Sequence, residues 1–284
     1  MICKKGQFGI FKALIEKYNM DIHASDEQKV SLLHQAAYCG QLEFVKYLIS
    51  KKISFRIQDK KRRTPFYYAA AKGQVKCLEY LLSLDSDQVY LFDTDGRSAL
   101  DAASFGNHKE CALLITSHLP LPLLDNFPIS DDGRTPLHAN LQSSNDSTDI
   151  TLLRELIKYF DVNAADKNGR TALHRTVYRN MPNFTNFLLE NGADVNIPDN
   201  KGRTVLMLAS FYNYEEIVNL LENCNPDRSM KDYKSRTVDY YIKKREEKEA
   251  AEDDEEEYDE DDMEEDAANE MQTVSVNTVP ATCS

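Results

Sequence analysis

Apolar residues recur along this chain in two alternating settings: short clusters that follow directly on a Ser or Thr, and longer stretches with apolar positions three and four apart. The second kind includes LEFVKYLIS (42–50), LEYLLS (78–83), TLLRELIKYF (151–160), FTNFLLENGADVN (184–196) and IVNLLEN (217–223), and its spacing lines one face of a helix. Before the short clusters stand Gly96, Gly133, Gly169 and Gly202, which supply a turn with positive φ; the Ser or Thr two residues later is placed to start a helix. About nine residues on comes a second break, at Gly40, Gly73, Asn107, Asn180 and Asn213, with Asn as the next residue after Gly to tolerate the left-handed region. The pattern predicts a turn, a short helix, a turn and a longer helix, repeated. Such a hairpin cannot bury both of its apolar faces alone.

Aligned on the Ser or Thr, the unit recurs as KVSLLHQAA at Ser31, RRTPFYYAA at Thr64, GRSALDAAS at Ser98, GRTPLHANL at Thr135, GRTALHRTV at Thr171, GRTVLMLAS at Thr204 and SRTVDYYIK at Thr237. The spacings are 33, 34, 37, 36, 33 and 33 residues. TPLH (135–138), TALH (171–174) and GADVN (192–196) make the chain resemble the ankyrin-repeat family, whose period is 33. The resemblance covers about residues 1–245 and implies an all-α solenoid of stacked helix-turn-helix units with β-hairpin fingers along one edge. The units fall near 1–26, 27–59, 60–93, 94–130, 131–166, 167–199 and 200–232, with a capping unit at 233–245; the first looks like the second half of a repeat. Two departures are expected to bend or loosen the stack: SHLPLPLLDNFPIS (117–130), with Pro120, Pro122 and Pro128, and QSSNDSTDI (142–150) in place of a short inter-helix turn.

Charge divides the chain sharply. Seventeen Asp or Glu stand against one Lys between 246 and 270, a local charge of −16 in a chain of net −13, so the remainder carries about +3. Residues 246–284 are expected to be a disordered acidic tail beyond a short, coiled-coil-like C-terminal helix through YYIKKREEKEA. No run of 18 apolar residues occurs and charges break the N-terminal stretch, so neither a membrane span nor a secretory signal is supported; a cytoplasmic protein is expected, with the nucleus as the alternative. The six cysteines show no metal-ligand spacing, and no phosphate-binding glycine loop or nucleophile elbow is present. No cofactor and no catalysis are expected. His138, beside Thr135 and near Asp131 and Asp132, has the ingredients of acid–base chemistry. Its repeat position, however, holds His34 and His174 and then Tyr67, Asp101, Met207 and Tyr240, and a catalytic base could not be exchanged for Met or Tyr along the repeat; the position is structural. The resemblance implies that this histidine binds near the Thr hydroxyl and ties one hairpin to the next.

Partner-binding candidates are the positions the repeat leaves free. Arg63, Arg97, Arg134, Arg170, Arg203 and Arg236 recur just before each Thr and would line one edge, though arginine is also a common frame residue there. Near the ends of the first helices, on the side the resemblance makes concave, stand Tyr38, Phe105, Tyr178 and Phe211, with Arg179 and Tyr212 adjacent; core packing is the competing reading. Lys60, Lys61, Arg63 and Lys72 make a local basic finger. A monomeric scaffold is expected that binds a partner protein with an acidic or amphipathic segment; nucleic acid is disfavoured by a body of only about +3. The tail is expected to meet basic proteins or its own repeats. Two alternatives stay open: a regulator similar to the inhibitors of NF-kappa-B, although the DSGxxS motif is absent, and an acidic-tailed chromatin-associated factor with Lys243–Arg245 as import signal. Asn196, in LLENGADVN, resembles asparagine-hydroxylation sites of ankyrin repeats.

Overall fold

Fourteen α-helices and one short 3-10 helix (Ser86–Tyr90) order the described residues, which in this computed structural model are 8–18, 21–119, 130–144 and 149–250. The α-helices are α1 (Phe8–Tyr18), α2 (Leu32–Tyr38), α3 (Leu42–Ser50), α4 (Pro65–Ala70), α5 (Val75–Leu84), α6 (Ala99–Phe105), α7 (Lys109–Thr116), α8 (Pro136–Ser143), α9 (Thr151–Leu156), α10 (Ala172–Tyr178), α11 (Pro182–Glu190), α12 (Val205–Phe211), α13 (Glu215–Glu222) and α14 (Val238–Ala250). Among the described residues the only extended pairing is two isolated bridges, Ser25 with Ser31 and Phe92 with Ser98, each at the base of a finger.

The short helices start where the sequence places a hydroxyl. Thr64, Ser98 and Thr204 are extended caps whose oxygens accept the backbone N–H of Tyr67, Asp101 and Met207 at 3.3, 3.1 and 3.5 Å. Pro65 and Pro136 sit in the first turn, where the missing N–H has no helical partner to lose. Both expected breaks are left-handed: φ is 71° at Gly96 and 73° at Gly169, and 50°, 49° and 56° at Asn107, Asn180 and Asn213.

The contacts divide the chain into two compact units. The first holds residues up to 132 together with 151–159, and the second holds 133–150 with the residues from 160. The division falls where the sequence departs from its period; 120–129 and 145–148, in those departures, lie outside the described residues, as does 251–284. In the first unit α2, α4 and α6 pack in succession, backed by α3, α5, α7 and α9. Helix α1 lies on α3 through Phe8, whose ring is 5.3 Å from Phe44 and 5.7 Å from Tyr47. In the second unit α8, α10, α12 and α14 follow one another, with α11 and α13 behind. Buried alanines such as Ala36, Ala69, Ala103 and Ala209 let the short helices approach closely, while Phe44, Leu78, Leu81, Phe184 and Leu188 fill the space between the rows. Helix α14 continues for 13 residues with no second helix after it among the described residues, burying Val238 and Tyr241.

Candidate protein-interaction surfaces

Five of the six arginine fingers are built on a carboxylate four residues before the arginine. Asp59 Oδ1 accepts the N–H groups of Lys61 and Arg63, both at 2.9 Å, and its Oδ2 takes the Arg63 guanidinium at 2.7 Å and the Tyr68 hydroxyl at 2.9 Å. Asp199 does the same for Lys201 and Arg203, with its ion pair to Arg203 at 2.6 Å and the guanidinium donating also to Tyr178 Oη at 3.0 Å. Asp232 holds Arg236 at 2.6 Å and the Tyr241 hydroxyl at 2.7 Å. Burial would raise that carboxyl, but the Tyr241 and Arg236 hydrogen bonds hold it below the ordinary carboxylate range. Asp166 accepts the backbone of Asn168 and Arg170, pairs with Arg175 at 3.2 Å and lies 3.9 Å from Arg134. In the finger of Arg134 the carboxylate's place is taken by Ser130, and Arg134 lies by the next finger's carboxylate instead.

Three of the six arginines expected to line an exposed edge are buried in their fingers. Arg203 is 1% exposed, Arg170 5% and Arg63 6%, so these three are frame groups that cannot meet a partner while the finger is folded. Arg170 lies 4.9 Å over the Tyr178 ring, and Arg236 5.2 Å over Tyr241. Arg134 and Arg236 are half-buried in their ion pairs, and Arg97 faces Asp95 at 3.8 Å. Arg179 donates to the Ser144 carbonyl at 2.9 Å, holding the end of α8.

His138 belongs to the same frame. Its Nδ1 accepts the Thr135 N–H at 3.3 Å, so Nε2 carries the proton and donates to the Arg170 carbonyl of the next finger at 3.0 Å. His34 and His174 repeat the arrangement onto the carbonyls of Arg63 and Arg203, at 3.0 and 3.4 Å. Only the neutral ring can fill both roles. Burial accordingly lowers the pKa of His34 and His174 below 6.5.

In the third repeat the histidine's place is taken by Asp101, whose Oδ2 accepts from Ser98 N and Oγ at 2.8 and 2.6 Å while its buried Oδ1 has no hydrogen-bond partner among the described residues. Burial pushes this carboxyl up to about 6, against the Ser98 hydrogen bonds that lower it. At pH 7.5 the group is ionised at a cost to the fold. Asp101→Asn should therefore stabilise the first unit by about 1–3 kcal/mol at pH 7.5, and the gain should shrink as pH falls through 6; urea unfolding at both pH values measures it.

The aromatic candidates separate by burial. Tyr178 is buried, whereas Tyr38, Phe105, Phe211 and Tyr212 are half-buried. In the second unit Phe211 packs edge-on to Tyr212 and Tyr241 at 5.3 and 6.2 Å, and Tyr212 stacks on Tyr214 at 5.5 Å. Tyr240, 42% exposed, and Tyr233, 80% exposed at a fingertip, extend the apolar surface outward. In the first unit the Lys72 ammonium lies 5.0 Å over Tyr38. Asn196 is a loop tie: its Oδ1 accepts the Asp227 N–H at 2.8 Å, as Asn163 Oδ1 accepts that of Asp194.

Apart from Arg63, the cations of residues 46–76, where the first two full repeats join, face solvent. Between 46 and 76 ten Lys or Arg stand against one acid, Asp59, and that acid is buried on Arg63. Lys60, Lys61 and Arg62 occupy one exposed turn, and Lys29 caps the preceding finger. The Lys60 N–H donates to the Gln28 carbonyl at 2.8 Å and the Thr94 N–H to the Lys61 carbonyl at 2.9 Å, so these fingers lie side by side. Lys29 and Arg62 take the left-handed position, at φ 59° and 60°, that glycine fills at Gly96. A non-glycine there costs about 1–2 kcal/mol, and in return it places a cation at the tip. Sequence reasoning selects Lys60, Lys61 and Lys72 here but passes over Lys29 and Arg62; their standing where glycine is due is the available signal. No group of residues suited to holding a metal occurs among the described residues, and none of their helices is long and apolar enough to cross a membrane.

A family model described as ankyrin repeats matches residues 1–90, 33–121, 101–199 and 141–232. The chain is 29% identical over 196 residues to the palmitoyltransferase AKR1 of Lachancea kluyveri, covering 68% of this chain and 26% of that protein. It is 29% identical over 176 residues to inversin of Mus musculus, covering 61% and 16%. The chain thus spans about a quarter and about a sixth of these relatives, and the likeness to the palmitoyltransferase falls on the repeats. Among solved structures, the ankyrin repeat domain of Bcl-3, a member of the IkappaB protein family, aligns with a TM-score of 0.63 at 23% identity, over 74% of this chain and 96% of that one. The human ASB11 ankyrin repeat domain aligns with a TM-score of 0.63 at 17% identity, over 88% and 99%. The fold is that of an ankyrin-repeat solenoid.

Proposed function

The chain belongs to the ankyrin-repeat family, and from that premise we propose that it is a protein-binding module whose partner offers an acidic segment to the cationic fingers of the first unit. Ankyrin repeats are protein–protein interaction modules, and specificity rests with the few side chains that the frame does not use. The observation that carries the proposal is the charge of residues 46–76, across the first two full repeats: ten cations to one buried acid, with Lys60, Lys61 and Arg62 exposed in a single turn. An acidic strand fits such a surface through many weak, exposed pairs, which gives fast, salt-sensitive association. The half-exposed aromatics Phe211, Tyr212 and Tyr240 in the second unit supply apolar contact area for the same class of partner.

Regulation of a transcription factor is a second reading, favoured by the dense acid after the repeats and compatible with the Bcl-3 likeness. At 23% identity that likeness speaks to the fold, so the cationic fingers remain the stronger ground. Fluorescence anisotropy of a labelled peptide of alternating Asp and Glu, about 20 residues long, titrated with the full chain, tests the main proposal. Lys60→Glu with Lys61→Glu should weaken binding at least tenfold at low salt, and Lys201→Glu with Lys234→Glu in the second unit less than twofold. Equal losses from the two pairs would refute it.

A further inference from the structure

We infer that the partner's acidic segment continues, within one extended stretch, into a basic one, because the row of fingertips that receives it in the first unit is bipolar. This rests on the reading of the cationic fingers as an acceptor for acidic polypeptide. The first three fingers are copies of one turn. In each, the aspartate at the base accepts two backbone N–H groups at 2.8 to 2.9 Å: those of Gln28 and Val30 at Asp26, of Lys61 and Arg63 at Asp59, and of Asp95 and Arg97 at Asp93. Their tips are therefore equivalent: Glu27, Gln28 and Lys29, then Lys60, Lys61 and Arg62, then Thr94, Asp95 and Gly96. The fourth finger follows with Asp131 and Asp132.

Backbone hydrogen bonds hold these four side by side: the N–H groups of Lys60, Thr94 and Asp131 donate to the carbonyls of Gln28, Lys61 and Asp95 at 2.8, 2.9 and 2.9 Å. Formal charge along the row runs from zero on the first tip to +3 on the second, −1 on the third and −2 on the fourth. Packing enforces the reversal. A Cβ at Gly96 would lie 2.9 Å from the Asp131 nitrogen, so the left-handed place that carries Lys29 and Arg62 can carry no side chain on the third tip. The Asp95 side chain is 44% exposed and loosely held, 4.0 Å from Lys61 and 3.8 Å from Arg97. A basic group arriving at Asp95 would take over from Lys61 and leave that ammonium to the ligand's own carboxylate. Each end of a bipolar ligand thus strengthens the other.

The pitch of the row selects the ligand's conformation. Successive short helices α2, α4 and α6 are packed on one another, which spaces their fingers about 8–10 Å apart. A polyproline II chain rises about 3.1 Å per residue with three residues per turn, so side chains three apart share a face about 9 Å from one another. A β-strand brings back the same face every two residues, at about 7 Å, and falls out of step. A segment of about twelve residues in polyproline II conformation meets the four fingers with one turn each. Carboxylates in its two turns at one end face Lys29 and the Lys60–Arg62 tip, and ammonium or guanidinium groups in the other two face Asp95 and Asp131. Exposed pairs are individually weak, so the discrimination accumulates over the row.

Three labelled peptides of one composition, with blocked ends and no net charge, test this by anisotropy at low salt with the full chain: Glu-Glu-Ser-Glu-Glu-Ser-Lys-Lys-Ser-Lys-Lys, its reverse, and Glu-Lys-Ser-Lys-Glu-Ser-Glu-Lys-Ser-Lys-Glu. One of the two block peptides, chosen by chain direction, should bind at least fivefold tighter than the alternating one. Asp95→Lys with Asp131→Lys should weaken that block peptide at least fivefold and strengthen the uniform Asp/Glu peptide at least threefold. Lysine already holds both places on the second finger, as Lys61 and Lys60, so thermal unfolding of this variant should be unchanged. Block peptides no tighter than the alternating one, or a double variant that leaves the block peptide unchanged or tighter, would overturn the inference. If that happens while the Asp/Glu peptide still depends on Lys60 and Lys61, the inference fails and the acidic-partner reading stands. If Asp/Glu binding is indifferent to Lys60 and Lys61, both fail.

Discussion

Arg203→Met is expected to destabilise the second unit by about 3–5 kcal/mol, because it strips the guanidinium from a buried carboxylate while leaving the carboxylate in place. Arg203 is 1% exposed and bonded to Asp199 at 2.6 Å and to the Tyr178 hydroxyl at 3.0 Å. Asp199 cannot turn to solvent without releasing the N–H groups of Lys201 and Arg203, which it also caps. The chain contains no tryptophan, so a single Phe211→Trp substitution in α12 would report urea unfolding of the second unit, and Tyr38→Trp in α2 that of the first. The loss should appear in the α12 reporter. A loss below about 1 kcal/mol would mean that Arg203 is not part of the frame.

Mild acid is expected to soften the second unit more than the first. In the folded state His34 and His174 are held neutral by burial, whereas in the unfolded chain they protonate below about 6.5. Between 6.5 and the lowered folded value the unfolded chain binds more protons, so their contribution is present at neutral pH and lost as pH falls. The first unit has an opposing term. Burial raises Asp101 to about 6, so the folded state takes up a proton there first and gains stability over part of the same range. Asp232 in the second unit moves the other way, since its folded pKa is lowered and it loses stability only in stronger acid. From pH 7.5 to 5.0 the urea midpoint given by the α12 reporter should drop while that given by the α2 reporter changes less. Equal drops, or a larger one in α2, would contradict the assignment of His174 and Asp101 to opposite signs.

The frame is legible in the sequence because its parts are local. Gly96, Gly133, Gly169 and Gly202 and the asparagines 107, 180 and 213 stand where the pattern requires left-handed positions, and all seven have positive φ. The company its position keeps marks His138 as structural, and the Thr135 N–H and Arg170 carbonyl supply the reason. The arginines are harder. Their period suggests an exposed line, but what buries them is the carboxylate four residues earlier, at Asp59, Asp166, Asp199 and Asp232, together with aromatics from neighbouring positions such as Tyr68, Tyr178 and Tyr241. The recurrent D-x-x-x-R spacing is visible in the sequence; how deeply each pair lies depends on what the adjacent helix brings over it. Tyr178 and Phe211 make the same point, since they share one repeat position and one is buried while the other is half-exposed.

Separating frame charge from docking charge is thus the centre of the account, and one comparison addresses it. The affinity of the labelled Asp/Glu peptide should be measured at low salt for the full chain, for Lys60→Glu with Lys61→Glu, and for Arg203→Met under conditions where the α12 reporter shows a folded second unit. The lysine pair should lose at least tenfold in affinity with unfolding stability nearly unchanged, and Arg203→Met should lose less than twofold despite its lowered stability. The reverse order, with Arg203→Met abolishing binding and the lysine pair leaving it intact, would contradict the account.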